Sequence, residues 1–228
     1  PHPVKDLHCH VIPVNNGLAG TQAQWEVSPW YYFPLISPGN EHPVTRSLNM
    51  IKVEFGSDID TVGENPAVKK TVLLATSPYS RVVAVPADIS LRETQLQPSQ
   101  SDYNRAQLPL AILLEGKFES VFTNRSIPEV ESRESIQVSS LSEPTRMIVM
   151  ADGDIIRNEV LDSPNGPVIA PLGFDQYTSQ SFGNKEFILN AVNYLTDETG
   201  LISLRGREFR MRLLDRQRIQ EESEKWKI

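Results

Sequence analysis

The sequence predicts an α/β domain, on three observations. Three apolar runs of strand length, "KKTVLLATSP" (Lys69 to Pro78), "LPLAILLEGKF" (Leu108 to Phe118) and "TRMIVMADGDII" (Thr145 to Ile156), are bounded by charged or turn-forming residues. An amphipathic helix is handed straight to a strand in "FGNKEFILNAVNYLTDETGLISL" (Phe182 to Leu204). The composition, 39% hydrophobic and 22% charged, is that of a globular chain.

The 228 residues suffice for one good core, or for a main core with a smaller appendage. No stretch approaches the ~18 apolar residues of a membrane span, so the chain as given is expected to be soluble. It opens on "PHPVKDLHCHVIPV" without an initiator Met and is expected to be a fragment or a processed chain. The net charge of −7 argues against nucleic-acid binding through overall charge. The charge is uneven, because Arg205 to Ile228 holds eight basic residues against five acidic ones. One cysteine, Cys9, excludes an internal disulfide and any multi-thiolate metal site.

From the N-terminus, "WEVSPWYYFPLISPGNEHPV" sets Trp25, Trp30, Tyr31, Tyr32 and Phe33 among Pro29, Pro34, Pro38 and Pro43. Proline fixes φ and removes a donor, so this segment is expected as an irregular excursion held by its rings, neither a long helix nor a central strand. The apolar runs that follow, continuous in place of alternating, predict strands covered on both faces. Between the last two, Thr123 to Pro144 is Ser/Glu-rich and is expected as a mobile loop.

In the helix, Asn184 is the expected N-cap, with Glu186 in the first turn. Phe187, Ile188, Ala191, Val192 and Leu195 form the stripe expected to lie on a sheet. Gly200 supplies the stop. Asn190 and Asn193 flank the stripe; they are candidate ligand-binding residues, and bonding to neighbouring loop backbone is the preferred reading. Further on, Phe209, Met211 and Leu213 alternate with Arg210 and Arg212 as in an edge strand.

Candidate chemistry is sparse. In "HCH" an extended backbone would point His8 and His10 to one face and Cys9 to the other. No elbow or partnered base accompanies the thiol, so a metal or nucleophile there is not favoured. Asp152 and Asp154 follow a strand, where α/β sheets place ligand crevices, but Asp-Gly-Asp is also ordinary turn chemistry. Ser77, Ser80 and Arg81 in "SPYSR" lack a paired histidine and read as a loop. No GxSxG, Walker or GxGxxG motif occurs. No catalytic residue, metal or cofactor is therefore expected.

The blocks "DLHCHVIPV", "FPLI", "TVLLATSPYSR", "LPLAILLEGKFESVFTNR", "TRMIVMADGDIIRNEV" and "PLGFDQYTSQSFGNKEFILNAVNYLTDETGLISLRGREFRMRLLD" resemble the extracytoplasmic part of the gliding-motility ABC-transporter auxiliary protein, the GldG family. The resemblance runs from Val4 to Asp215. It implies a flavodoxin-like open sheet akin to class I glutamine amidotransferases but without their catalytic residues. It also implies a single domain over residues 1–214, part of a larger region, followed by a juxtamembrane polar tail over residues 215–228. The function implied is that of a non-enzymatic, substrate-binding-like auxiliary component, anchored in the inner membrane by segments outside this chain and facing the periplasm. Permease and ATPase subunits would be its partners, with Arg210, Arg212, Arg216, Arg218 and Trp226 nearest the membrane. Two other readings stay open: a hydrolase or transferase using Asp152 and Asp154, and a carbohydrate-binding module built on Trp25, Trp30, Tyr31 and Tyr32.

Overall fold

The computed structural model describes residues 2–17, 22–63, 65–125 and 139–197. Their strands are β1 (Val4–Asp6), β2 (Cys9–Asn15), β3 (Trp25–Ile36), β4 (Ile51–Lys52), β5 (Val68–Ala75), β6 (Ser80–Val82), β7 (Pro109–Gly116), β8 (Thr145–Met150), β9 (Val160–Leu161), β10 (Val168–Ile169), β11 (Phe174–Asp175) and β12 (Gln180–Ser181). One α-helix, α1 (Asn184–Thr196), follows among the described residues. Every strand pairing described is antiparallel.

The three apolar runs form one sheet in the order β5-β7-β8. Coverage on both faces holds only for the middle strand, where Leu110, Ala111, Ile112 and Leu113 are all buried. On β5 and β8 it fails: Val72, Met147 and Val149 are exposed. In register, Val72 and Val149 flank Ile112, while Ile148 flanks Leu113. Leu74, Ala111, Leu113, Ile148 and Met150 join the core that α1 enters through Phe187 and Ala191. An apolar run thus marks a strand with neighbours on both sides in β7, and a one-sided edge strand in β8.

The aromatic segment departs from expectation. Trp25–Ile36 is a strand, and it is the middle one of the sheet β2-β3-β4. Its prolines are tolerated because the ladder is broken between them. Pro34 pairs with Cys9 and Pro29 with Val11, so four residues of β3 pass while β2 passes only His10. On the other side Pro34 only accepts, from the Val53 N–H at 3.1 Å, a role that needs no donor. The rings do anchor this segment: Trp30 and Tyr32 are buried and lie 5.4 Å apart between centroids.

In α1, Asn184 does not cap. The residue before the helix is Gly183, which makes no side-chain cap, and Asn184 is buried as the first helical residue. A Cβ on Gly183 would stand 2.6 Å from the Asn49 carbonyl oxygen, so this close approach requires glycine. The buried stripe is also narrower than expected. Phe187 is fully buried and Ala191 nearly so, but Val192 and Leu195 are exposed. Burying a phenylalanine contributes about 1.5–3 kcal/mol, so Phe187 is the main anchor of the helix.

Gly200, the 209–213 alternation and the tail over 215–228 lie outside the described residues, as do residues 126–138 of the expected loop. No described helix is long and apolar enough to cross a membrane.

Candidate functional site

The densest group of charges assembles around β4. In "IKVEF" apolar and charged residues alternate, so Lys52 and Glu54 share a face. Lys52 Nζ lies 2.9 Å from Glu159 Oε1, 3.1 Å from Glu54 Oε1 and 3.6 Å from Asp175 Oδ1. Glu54 extends the chain of charges to Arg157 at 2.8 Å, and Arg157 reaches Asp154 at 3.0 Å. At the inner end, His10 Nε2 stands 3.0 Å from Asp175 Oδ1 but out of line for a hydrogen bond. The other Asp175 oxygen accepts from the Thr178 N–H and hydroxyl at 2.8 and 2.6 Å.

The electrostatics match the geometry. Burial alone would lower the Lys52 ammonium, yet the hydrogen bond to Glu159 and the charge of Glu54 leave it raised above the usual lysine value. Burial likewise pushes Asp175 up, and the hydrogen bonds from Thr178, together with the adjacent His10 ring, outweigh it, so its carboxyl ends below the ordinary range. Lys52 is thus held as a cation, which rules it out as a neutral amine nucleophile near pH 7. The space enclosed by Lys52, Glu54, Asp154, Glu159 and Asn184 is about 20 Å³, enough for a single water. This arrangement fastens segments together and leaves no room for a substrate.

Asp152 and Asp154 stand at its edge in different roles. Asp152 Oδ2 accepts from the Glu54 N–H at 2.9 Å and Oδ1 from the Asp154 N–H at 2.7 Å. It ties the turn after β8 to the strand region after β4. Its carboxyl is raised, chiefly by burial. Asp154 faces outward to Arg157.

Neither Asn190 nor Asn193 joins this group. Asn190 Nδ2 donates to the Val44 carbonyl at 3.3 Å, a bond to loop backbone, and Asn193 is exposed. Arg210, Arg212, Arg216, Arg218 and Trp226 lie outside the described residues.

The histidine pair separates, contrary to the extended-strand expectation. His8 precedes β2 in a bend and is exposed beside Tyr79, whereas His10 is buried against Phe182. The bend exists because Asp6 accepts from the His8 N–H at 2.8 Å and from the Ser77 N–H at 2.7 Å. The same bonds make "SPYSR" a packed turn: the Ser77 hydroxyl donates to Asp6 and the Ser80 hydroxyl shares a hydrogen with Thr76 at 2.7 Å. Cys9 is half-buried, and burial pushes its thiol up to about 11. No group of three or more His, Cys, Asp or Glu among the described residues is arranged to hold a metal.

Sequence reasoning missed Lys52, Glu54, Glu159 and Asp175, and weighed His10 only as half of a pair with His8. The Lys52/Glu54 alternation was a readable signal for a charged strand face; Glu159 and Asp175 come from distant segments and left none.

No curated protein and no solved structure matches the chain. A family model described as an ABC-type uncharacterized transport system, a family of transport auxiliaries, matches residues 1–191. That span takes in every strand described and α1 through Ala191. The chain therefore belongs to the auxiliary family of ABC-type transport systems and is an auxiliary component of such a system.

Proposed function

We propose that this chain is a non-enzymatic, substrate-binding-like auxiliary component of the gliding-motility type of ABC transporter. It is held at the inner membrane with this region facing the periplasm, and it docks on the permease and ATPase assembly. The observation that carries the reading is the family match over residues 1–191, joined to the resemblance of the quoted blocks to the GldG family. The flavodoxin-like fold is proposed with it, on the same resemblance; what supports it is the core that α1 shares with β5, β7 and β8, strands that pair antiparallel.

The non-enzymatic part of the reading draws on the chemistry of the interior. Asp152 has both oxygens occupied by backbone N–H groups, and the Cys9 thiol stays protonated near neutral pH. The carbohydrate platform loses two of its four rings, since Trp30 and Tyr32 are buried.

The test is to express the full-length protein in its native membrane, place cysteines at Arg212 and Arg218, crosslink, and identify what is captured by mass spectrometry. Permease and ATPase subunits are expected in the captured fraction. A full-length protein that fractionates away from membranes and captures neither subunit overturns the reading.

A further inference from the structure

A groove of about 190 Å³ opens beside β1 and β6, between those strands and the segment 93–103, and shares no lining residue with the Lys52 group. It is well short of the ~300 Å³ at which drug-sized pockets begin, and it is the size of a single amino acid. Lys5 and Arg81 are cross-strand partners and both line it. Lys5 is already occupied: its ammonium pairs with Glu93 and lies 4.4 Å from the centre of the Tyr32 ring.

Two charges in the same groove are not. Arg81 is half-buried, its guanidinium 5.8 Å from the Tyr103 ring centre, and it makes no ion pair among the described residues. Asp102 lines the same groove and is exposed; among the described residues its carboxylate takes only a 3.5 Å contact from the Ser101 hydroxyl. Arg81 and Asp102 line one groove and form no ion pair with each other, so a molecule carrying both signs can engage the two together. The lining is mixed, with Tyr31, Tyr103, Leu96 and Pro98 as its apolar part beside Glu93, Gln97 and Ser99. The Tyr31 and Tyr103 rings lie 6.0 Å apart, and Leu96 stands 66% exposed.

We propose that this groove binds a free α-amino acid with an apolar side chain, the carboxylate on Arg81, the ammonium on Asp102 and the side chain against Tyr31, Tyr103 and Leu96. Guanidinium binds carboxylate through two parallel hydrogen bonds, and the Tyr103 ring 5.8 Å away limits how the fork can turn. The tyrosine faces and Leu96 favour a hydrocarbon side chain over a polar one. The proposal does not rest on docking to the transporter: a chain that binds no amino acid still copurifies with its partners, and a chain that binds one need not.

The test is calorimetric titration of L-leucine into the full chain, alongside N-acetyl-L-leucine, which lacks the ammonium, and L-leucinamide, which lacks the carboxylate. Saturable binding of leucine is expected, with each blocked analogue weaker by roughly tenfold or more, because a site built for a polar group rejects the ligand without it. Arg81→Ala and Asp102→Asn are each expected to weaken leucine by a similar factor. No saturable heat with leucine, blocked analogues that bind as well as leucine, or folded variants that bind like the parent would each overturn the proposal. The analogue comparison uses the unaltered protein, so it decides the matter even where a variant fails to fold.

Discussion

Asn184, the first residue of α1, grips both backbone groups of Lys52: its Oδ1 accepts from the Lys52 N–H at 3.0 Å and its Nδ2 donates to the Lys52 carbonyl at 2.8 Å. A third bond runs from Nδ2 to the Ile155 carbonyl at 3.2 Å. One amide thereby extends β4 with a surrogate strand, fastens the helix start to it and holds the turn after β8. Each buried group left without its partner costs about 1–3 kcal/mol. Asn184→Ala should accordingly lose at least ~2 kcal/mol, read as a lower urea midpoint at unchanged slope. Asn193→Ala, on the exposed face, should stay within about 0.5 kcal/mol. Equal midpoints for the two variants would deny Asn184 this role.

The helix face makes a second prediction. Phe187→Ala is expected to cost roughly 3–5 kcal/mol, and Ile188→Ala, half-buried beside it, to fall near or below the low end of the 2–5 kcal/mol range for core aliphatics. Val192→Ala should change stability by no more than about 0.5 kcal/mol. Thermal melts rank the three, and a Val192 variant as damaged as the Phe187 one would mean that α1 is rotated from the face described.

The charge network gives a pH signature with opposite signs at its two ends. The folded-state value of Lys52 is raised, so its contribution is fully present below the ordinary lysine value of about 10.4 and is lost as pH climbs through the raised value. The folded-state value of Asp175 is depressed. Its contribution is present above about pH 3.9 and is lost as pH falls through the lower value. Lys52→Met should flatten the alkaline limb of the melting-temperature profile, and Asp175→Asn the acid limb. Limbs that superimpose on the parent's would show that these groups do not titrate with folding.

Cys9 supplies the fourth. With its thiol at about 11, almost none is thiolate at pH 8, and alkylation of the native protein by iodoacetamide should run at least tenfold slower than that of free cysteine. Cys9→Ser should leave any turnover found in an esterase, amidase and glutaminase screen unchanged. Rapid native labelling, or an activity abolished by that substitution, would reopen the enzyme reading.

Much of the scaffold was legible and little of the charge network was. The runs now seen as β5, β7 and β8, and the helix near Asn184, stand out because periodicity is a local property. Asn190 follows the general rule that a polar group in packing finds backbone. Asn184 was misread for the same reason: next to Gly183 it looks like a cap, while its true partner lies 132 residues earlier. The β3 prolines misled because their cost depends on where the ladder breaks, which is decided by β2. Glu159 and Asp175 sit in turn-rich sequence, and only the folded chain brings them to Lys52.

The Lys52 network also sets an order of assembly. Its first members, His10 and Lys52, leave the ribosome well over a hundred residues before Asp175. At ~5–20 residues per second that delay is on the order of ten seconds. Throughout it, β4 carries an ammonium that stays in water until the carboxylates of the later segments arrive. The enclosure of Lys52 is therefore completed late in translation, and a nascent chain stalled before residue 175 should leave Lys52 open to amine-reactive labels.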